Sequence, residues 1–282
     1  MEGQLWKIIE SLLPDSQPAT RRFRYSVRDI LRVALWGILH DRPICWACRL
    51  ENWPAPQRSA RLPHPSTISR RWRGDDLQHE VRRLHEQVVT RLGVCGRYAA
   101  LDGRSLLVGG CSKDRDARAG RAVGGMGRGY KLHALVDAGR LIVCYEVEPL
   151  CVAEPSVAAR LLRRAPREIT HIVADTAYDS MNLHRVAAEH RRRLYTPLRQ
   201  NRVGRRQQAR RLRLLRLWQR RVGQRLLAWR DEIERTFGQT TTISFGFKGL
   251  PSWARRHHRV CRWMWGKILL HHAWLLRKRS AA

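Results

Sequence analysis

The sequence predicts an α/β fold, a mixed β-sheet flanked by helices, preceded by a small all-α region. Three observations predict it. Apolar residues recur at helical spacing from the N-terminus to about residue 93. From Gly96 onward, apolar runs of strand length alternate with helical stretches. Two of those runs flank Asp137-Ala138-Gly139, a hairpin signal, so antiparallel pairing joins the parallel pairing that βαβ crossovers impose.

The elements follow in order. Leu5, Ile8, Ile9 and Leu12 mark a first helix, which Pro14 stops. Ser26 is placed to cap a second, whose face shows Ile30, Val33, Ala34, Trp36, Gly37 and Leu39. A Pro-rich passage from Trp53 to Pro65 leads to Ser66-Thr67-Ile68-Ser69-Arg70-Arg71-Trp72-Arg73, which opens with capping residues and turns basic. A last helix from about Asp76 carries Leu77, Val81, Leu84, Val88 and Leu92, with Gly93 as its stop. Short helices ending in a capped, Arg-rich segment suit a helix-turn-helix-like reader of DNA through Arg70, Arg71 and Arg73. A helical bundle with an ordinary solvated basic face is the competing reading.

Beyond Gly96, Tyr98–Leu101 leads to Asp102, and Arg104–Val108 is strand-like again. Ser112–Gly129 is rich in Gly and Arg, lacks periodicity and is expected to be a mobile loop. Strands are expected over Lys131–Val136, Arg140–Val147, Ile169–Ala174 and Leu194–Thr196, with helices over Pro155–Arg164 and 180–190. The clearest local signal is a long amphipathic helix: Leu215, Trp218, Val222, Leu226, Trp229, Ile233 and Phe237 are spaced 3, 4, 4, 3, 4, 4. A helical tail follows Pro251. The expected division is a helical domain over 1–93 and an α/β domain over 96–282.

Charge narrows the function. Lys+Arg number 55 against 24 Asp+Glu, a formal net charge of +31, and 49 of the bases are Arg. Such a surface repels itself unless a polyanion neutralises it, and Arg pairs bidentately with phosphate. The expected partner is therefore nucleic acid. Between Arg199 and Arg230 stand 12 Arg and no acid, so Arg206, Arg210 and Arg213 are expected to track a phosphate backbone. No apolar run approaches the ~20 residues that span a bilayer, and the acids of MEGQLWKIIESLLPDSQ do not suit a signal peptide. Seven scattered Cys, with Cys45 and Cys48 the one close pair, read as reduced thiols rather than a zinc site. A cytoplasmic protein is expected.

In so acid-poor a chain, carboxylates at strand ends stand out. Asp102 follows an apolar strand, and Asp175 follows His171–Ala174 in the same way. Carboxylates at the ends of neighbouring strands repel unless they hold a cation, and oxygen donors of this kind suit Mg²⁺ or Mn²⁺. Two such ions serve in-line phosphoryl transfer. Glu234, beside stripe member Ile233, is placed to supply a third carboxylate, with Arg230 one turn away. Plainer roles compete: Asp102-Gly103 as a turn, Asp175 as a helix cap, Glu234 as a partner of Arg230. Asp179 and Glu232 are rival carboxylates. Lys131 sits on a strand beside the site and is a candidate phosphate contact.

The strings LDGRSLLVGGCSKD, GYKLHALVDAGR, IVADTAYDS and RDEIERTF resemble the catalytic domain of DDE transposases from prokaryotic insertion sequences, over roughly residues 96–282. The N-terminal region is similar, less specifically, to the helical DNA-binding leader of such enzymes. The resemblance implies a ribonuclease H-like fold and a metal-binding triad of Asp102, Asp175 and Glu234. It also implies cleavage of double-stranded DNA at transposon ends, transfer of the freed 3′-OH to target DNA, and a homodimer that brings two ends together. The family's signature around its Glu is Tyr, two residues, Arg, three residues, Glu, six residues, Lys. Arg230 and Glu234 match it; Leu227 and Thr241 stand at the Tyr and Lys positions, with Lys248 further on. Two alternatives remain: a ribonuclease H-like nuclease that cuts without joining, and a decayed or repurposed transposase that only binds nucleic acid.

Overall fold

The computed structural model describes residues 2–15, 24–58, 61–197, 221, 236–237 and 249–280. The chain forms two compact units, one of Met1–Leu92 with Ile243–Ala282 and the other of Gly93–Thr242.

The described elements of the first unit are helical. They are α1 (Glu2–Leu12), α2 (Val27–Leu39), a short α3 (Ile44–Ala47), α4 (Pro65–Trp72), α5 (Asp75–Leu92) and, from the other end of the chain, α8 (His257–Ser280). Ser26 caps α2 as expected: its hydroxyl accepts from the Asp29 amide at 3.1 Å while the Asp29 carboxylate accepts from the Ser26 amide at 2.9 Å. At α4 the cap is His64, whose ring accepts from the Ser66 amide at 3.3 Å. Pro65 then occupies the first turn, one residue ahead of the Ser/Thr run expected to cap. Trp6, Trp36 and Trp53 form an aromatic core, with Trp36 stacked on Trp53 at 4.6 Å and Trp6 edge-on to Trp36 at 4.9 Å. The indole N–H groups of Trp36 and Trp53 each donate to a backbone carbonyl at 2.8 Å.

The tail expected with the α/β domain instead belongs to the helical unit. Helix α8 is apolar around much of its circumference and packs against α1, α2 and α5. A helix buried on several sides carries no single-face signal, so its partners cannot be read from its period. Its Lys267 side chain is fully buried and pairs with Asp41 at 2.8 Å.

The second unit is built on a six-stranded mixed sheet of β1 (Tyr98–Leu107), β2 (Arg118–Ala122), β3 (Gly125–Asp137), β4 (Ile142–Pro149), β5 (His171–Ala174) and β6 (Arg193–Tyr195). The order is β2-β3-β1-β5-β6, and β4 pairs the later part of β3 beyond β2. Strand β1 is antiparallel to β3 and parallel to β5, while β5 is parallel to β6. Helices α6 (Glu154–Arg164) and α7 (Met181–Glu189) pack against each other and against the sheet. Ile172, Val173, Ala174, Leu132, Leu135, Leu161 and Leu183 are all buried.

The Gly/Arg-rich stretch expected to be a loop contains β2 and the start of β3. Arg128 organises it, donating to the carbonyls of Ser112 and Ala117 at 3.1 Å and of Asp114 at 2.5 Å. Tyr130, reaching from β3, donates to the Asp114 carboxylate at 2.9 Å. These links are long-range, so local periodicity does not announce them. Among the described residues no helix is long and apolar enough to cross a membrane.

Candidate active site

The site is set by register. The pairing of β1 with β5 ends at Leu101 opposite Ala174, so Asp102, in the middle of β1, and Asp175, the first residue past β5, follow that last pair. Neighbouring strands run about 4.8 Å apart, which brings the two backbones together without any long-range design in the side chains. Both carboxylates are half-buried. Asp102 Oδ1 accepts from the Gly103 amide at 2.7 Å, and Asp175 Oδ1 accepts from the Ala177 amide at 2.8 Å. Asp175 thereby caps the turn Thr176–Tyr178, so the plainer role read in the sequence is present alongside its place at the strand end.

That turn swings Tyr178 back against Gly103, the neighbour of Asp102 on β1. Its ring is fully buried, and its hydroxyl lies 3.1 Å from His133 Nδ1. Burial raises the phenol well above its usual ionisation range, and the charges of Glu154, Asp102 and Asp175 raise it further. Tyr178 is thus a neutral phenol on which three carboxylates bear. His133, also fully buried, is pushed down to about 3 by burial and then by Lys131 and Arg160. The Tyr178–His133 pair is uncharged, a hydrogen-bonded contact beside Gly103 rather than a proton reservoir.

Lys131 comes from β3, opposite Ser105, and its ammonium lies 2.5 Å from Glu154 Oε1 at the start of α6. Its stem runs over Gly103: a Cβ on that residue would lie 2.8 Å from Lys131 Cδ and 3.1 Å from the Tyr178 hydroxyl. Glycine beside Asp102 is what admits the lysine. The candidate phosphate contact therefore lies on the face of β1 that Gly103 and Ser105 share, opposite the Asp102 side chain, with its charge engaged by Glu154. Two residues beyond Asp102, on the same face of β1, Arg104 donates to the carbonyl of Phe237 at 3.2 Å.

Other expected residues are placed as follows. Arg70 and Arg73 are exposed on or beside α4, while Arg71 is half-buried and donates to the Tyr25 carbonyl at 3.0 Å. The rival Asp179 is buried, with its carboxylate 3.5 Å from the Thr196 hydroxyl and 3.7 Å from His184 Nε2. Glu234, Glu232, Arg230, Arg206, Arg210, Arg213, Leu227, Thr241 and Lys248 lie outside the described residues. Sequence reasoning missed Tyr178 and Glu154. Each carries a small signal: Tyr178 sits three residues past Asp175, and Glu154 is an acid at a helix start in an acid-poor chain.

Among the described residues no three His, Cys, Asp or Glu side chains come together as a metal cage. Asp102, within β1, and Asp175, just past β5, offer carboxylate oxygens on neighbouring strands, a donor chemistry that fits Mg²⁺ or Mn²⁺ once a third ligand joins them.

Comparison with protein families matches residues 96–270 to a model described as a transposase DDE domain. Among solved structures, the cryo-EM structure of a piggyBac transposase synaptic complex with hairpin DNA is similar at a TM-score of 0.45 and 11% identity, over 98% of this chain and 72% of that one. No curated protein matches the chain.

Proposed function

The chain belongs to the transposase DDE-domain family, and from that premise we propose that it cuts double-stranded DNA at transposon ends and joins the freed 3′-OH to target DNA. The observation that carries the reading is the register of β1 and β5, in which Asp102 and Asp175 each follow the last paired residues, Leu101 and Ala174. Glu234 is proposed as the third carboxylate. It precedes Phe237 by three residues, and the Phe237 carbonyl is bound by Arg104, itself two residues past Asp102. That link supports including Glu234.

Asp102, Asp175 and Glu234 would hold two Mg²⁺ or Mn²⁺ ions. Bound there, such ions activate an oxygen nucleophile and stabilise the departing oxygen in phosphoryl transfer. In cleavage, water attacks phosphorus, the bond to the 3′ oxygen breaks, and a 3′-OH and a 5′-phosphate result. In joining, the 3′-OH attacks a target phosphodiester and displaces a new 3′-OH, so the bond count is conserved and no covalent protein intermediate is required. This chain's own contributions are positional. Backbone amides of Gly103 and Ala177 each hold one oxygen of Asp102 and Asp175, which orients the carboxylates. Tyr178 and His133, both uncharged, pack behind Gly103, the neighbour of Asp102. Arg230 is the proposed phosphate contact at the site, and Lys131, held by Glu154 on the other side of Gly103, a proposed contact further along the backbone.

Arg70 and Arg73 of the helical unit, with Arg206, Arg210 and Arg213, are proposed to bind backbone phosphates, and a homodimer to bring two DNA ends together. A prokaryotic, cytoplasmic setting follows from the same reading.

The test is incubation of the full chain with DNA flanking its own gene and Mn²⁺, resolved on a denaturing gel. Asp102→Asn, Asp175→Asn and Glu234→Gln are expected to abolish cutting while DNA binding survives. Normal cutting by all three variants overturns the triad. Cutting without strand-transfer products from a pre-cut end reduces the protein to a nuclease.

A further inference from the structure

The β2–β3 hairpin carries an exposed apolar tip on a rigid, basic base. Val123 is 94% exposed and Met126 77% exposed, the highest values among the large apolar side chains described. Single exposed apolar residues are ordinary on protein surfaces. These two bracket one turn, Gly124-Gly125, whose positive φ values of 86° and 140° suit glycine. From Cys111 to Gly129 the chain holds five basic residues and two acids. Asp114 is 3% exposed and accepts from Tyr130, so its charge is drawn inward. Arg115, Arg118 and Arg121 are exposed. The three carbonyls gathered by Arg128 and the Asp114–Tyr130 bond tie the base together. The tip is thus presented in a preset position, which lowers the entropy lost on docking.

A tip that is apolar at its end and cationic along its sides fits a surface with a stacked-base interior and phosphate walls. A two-stranded β-ribbon fits the major groove, about 12 Å wide. Strand alternation puts Arg118 and Arg121 on opposite faces of the ribbon, so either face can meet a phosphate. Ala134 pairs with Asp102 in register, and Met126 lies eight residues earlier on β3. At a rise of about 3.3 Å per residue the tip stands about 26 Å from that position. That span is seven to eight base pairs, at about 3.4 Å each.

We propose that the β2–β3 hairpin is a DNA-docking element: Arg118 and Arg121 pair with backbone phosphates while Val123 and Met126 press into the groove, about eight base pairs from the reacting phosphodiester. This rests on the reading of the chain as a DNA transposase.

The experiment measures binding of the full chain to a labelled 30-bp GC-balanced duplex by fluorescence anisotropy across a salt series, without Mn²⁺. Arg118→Gln with Arg121→Gln is expected to weaken binding about tenfold and to lower the slope of log K against log[salt] by about 2, since each lost phosphate contact removes about 0.9. Val123→Ser with Met126→Ser is expected to weaken binding several-fold with the slope unchanged, because apolar contact releases no counterions. All four side chains are exposed, so thermal melts should match the wild type. If the wild type binds and both double variants bind identically to it, the hairpin proposal falls and the transposase reading stands. If the wild type itself fails to bind the duplex, the DNA reading falls and the hairpin proposal with it.

Discussion

The ammonium of Lys131 rests 2.5 Å from the carboxylate of Glu154, with side-chain exposures of 11% and 22%. The pair is sheltered enough that neither charge is fully solvated, and it lies across Gly103 from Asp102. Removing one partner leaves the other poorly compensated, whereas replacing both does not. Glu154→Leu is therefore expected to destabilise the protein by about 1–3 kcal/mol, and the double variant Lys131→Met, Glu154→Leu by less than the sum of the two singles. Urea unfolding of the four proteins in a double-mutant cycle measures this. Strict additivity would show that the two side chains do not interact.

His133 makes stability depend on pH. Its imidazole is lowered from 6.5 to about 3, so the folded form stays neutral where the unfolded chain takes up a proton. Its contribution is fully present above the unfolded value and is lost as pH falls from about 6.5 toward 3. The slope reaches at most about 1.4 kcal/mol per pH unit. His133→Gln is expected to flatten this part of the stability profile relative to wild type between pH 6.5 and 4. Melting temperatures over that window check it, and parallel profiles would remove His133 as the cause.

Asp41 and Lys267 anchor α8 within the helical unit. The lysine side chain has no exposure, its Nζ is 2.8 Å from Asp41 Oδ1, and the same carboxylate lies 3.3 Å from the indole N–H of Trp263. Asp41→Ala strands a buried ammonium and is expected to cost about 3–5 kcal/mol. Adding Lys267→Met should recover much of that loss, because a methionine of similar length needs no counter-charge. Chemical denaturation reads both effects; a second substitution that recovers nothing would show that the cost lies in Asp41 alone.

Much of the second unit was legible because its strands are short, apolar and bounded by turn residues. Ala174-Asp175 could be read as a strand end and the hairpin at Asp137–Gly139 announced itself, whereas β1 runs straight through Asp102 and Gly103 to Leu107, held there by its pairing with β3. What was not legible shares a physical cause. The order in Ser112–Gly129 comes from Arg128 and Tyr130 reaching across to distant carbonyls and to Asp114. Tyr178 and Glu154 reach the site through a turn and a helix start, where periodicity carries no information. The partners of α8 stayed hidden because a helix apolar on several sides points nowhere in particular.

By itself the sequence determined the excess of Arg over acids, and it marked Asp102 and Asp175, through alternation of apolar runs with single carboxylates. Those properties are local or summed over the chain, and no folding is needed to state them. Only the tertiary structure decided that β1 and β5 are parallel neighbours in register, that Lys131 crosses Gly103 to Glu154, and that the C-terminal helix packs with the N-terminal ones. Each of these joins residues far apart in sequence, and their pairing depends on which surfaces exclude water together.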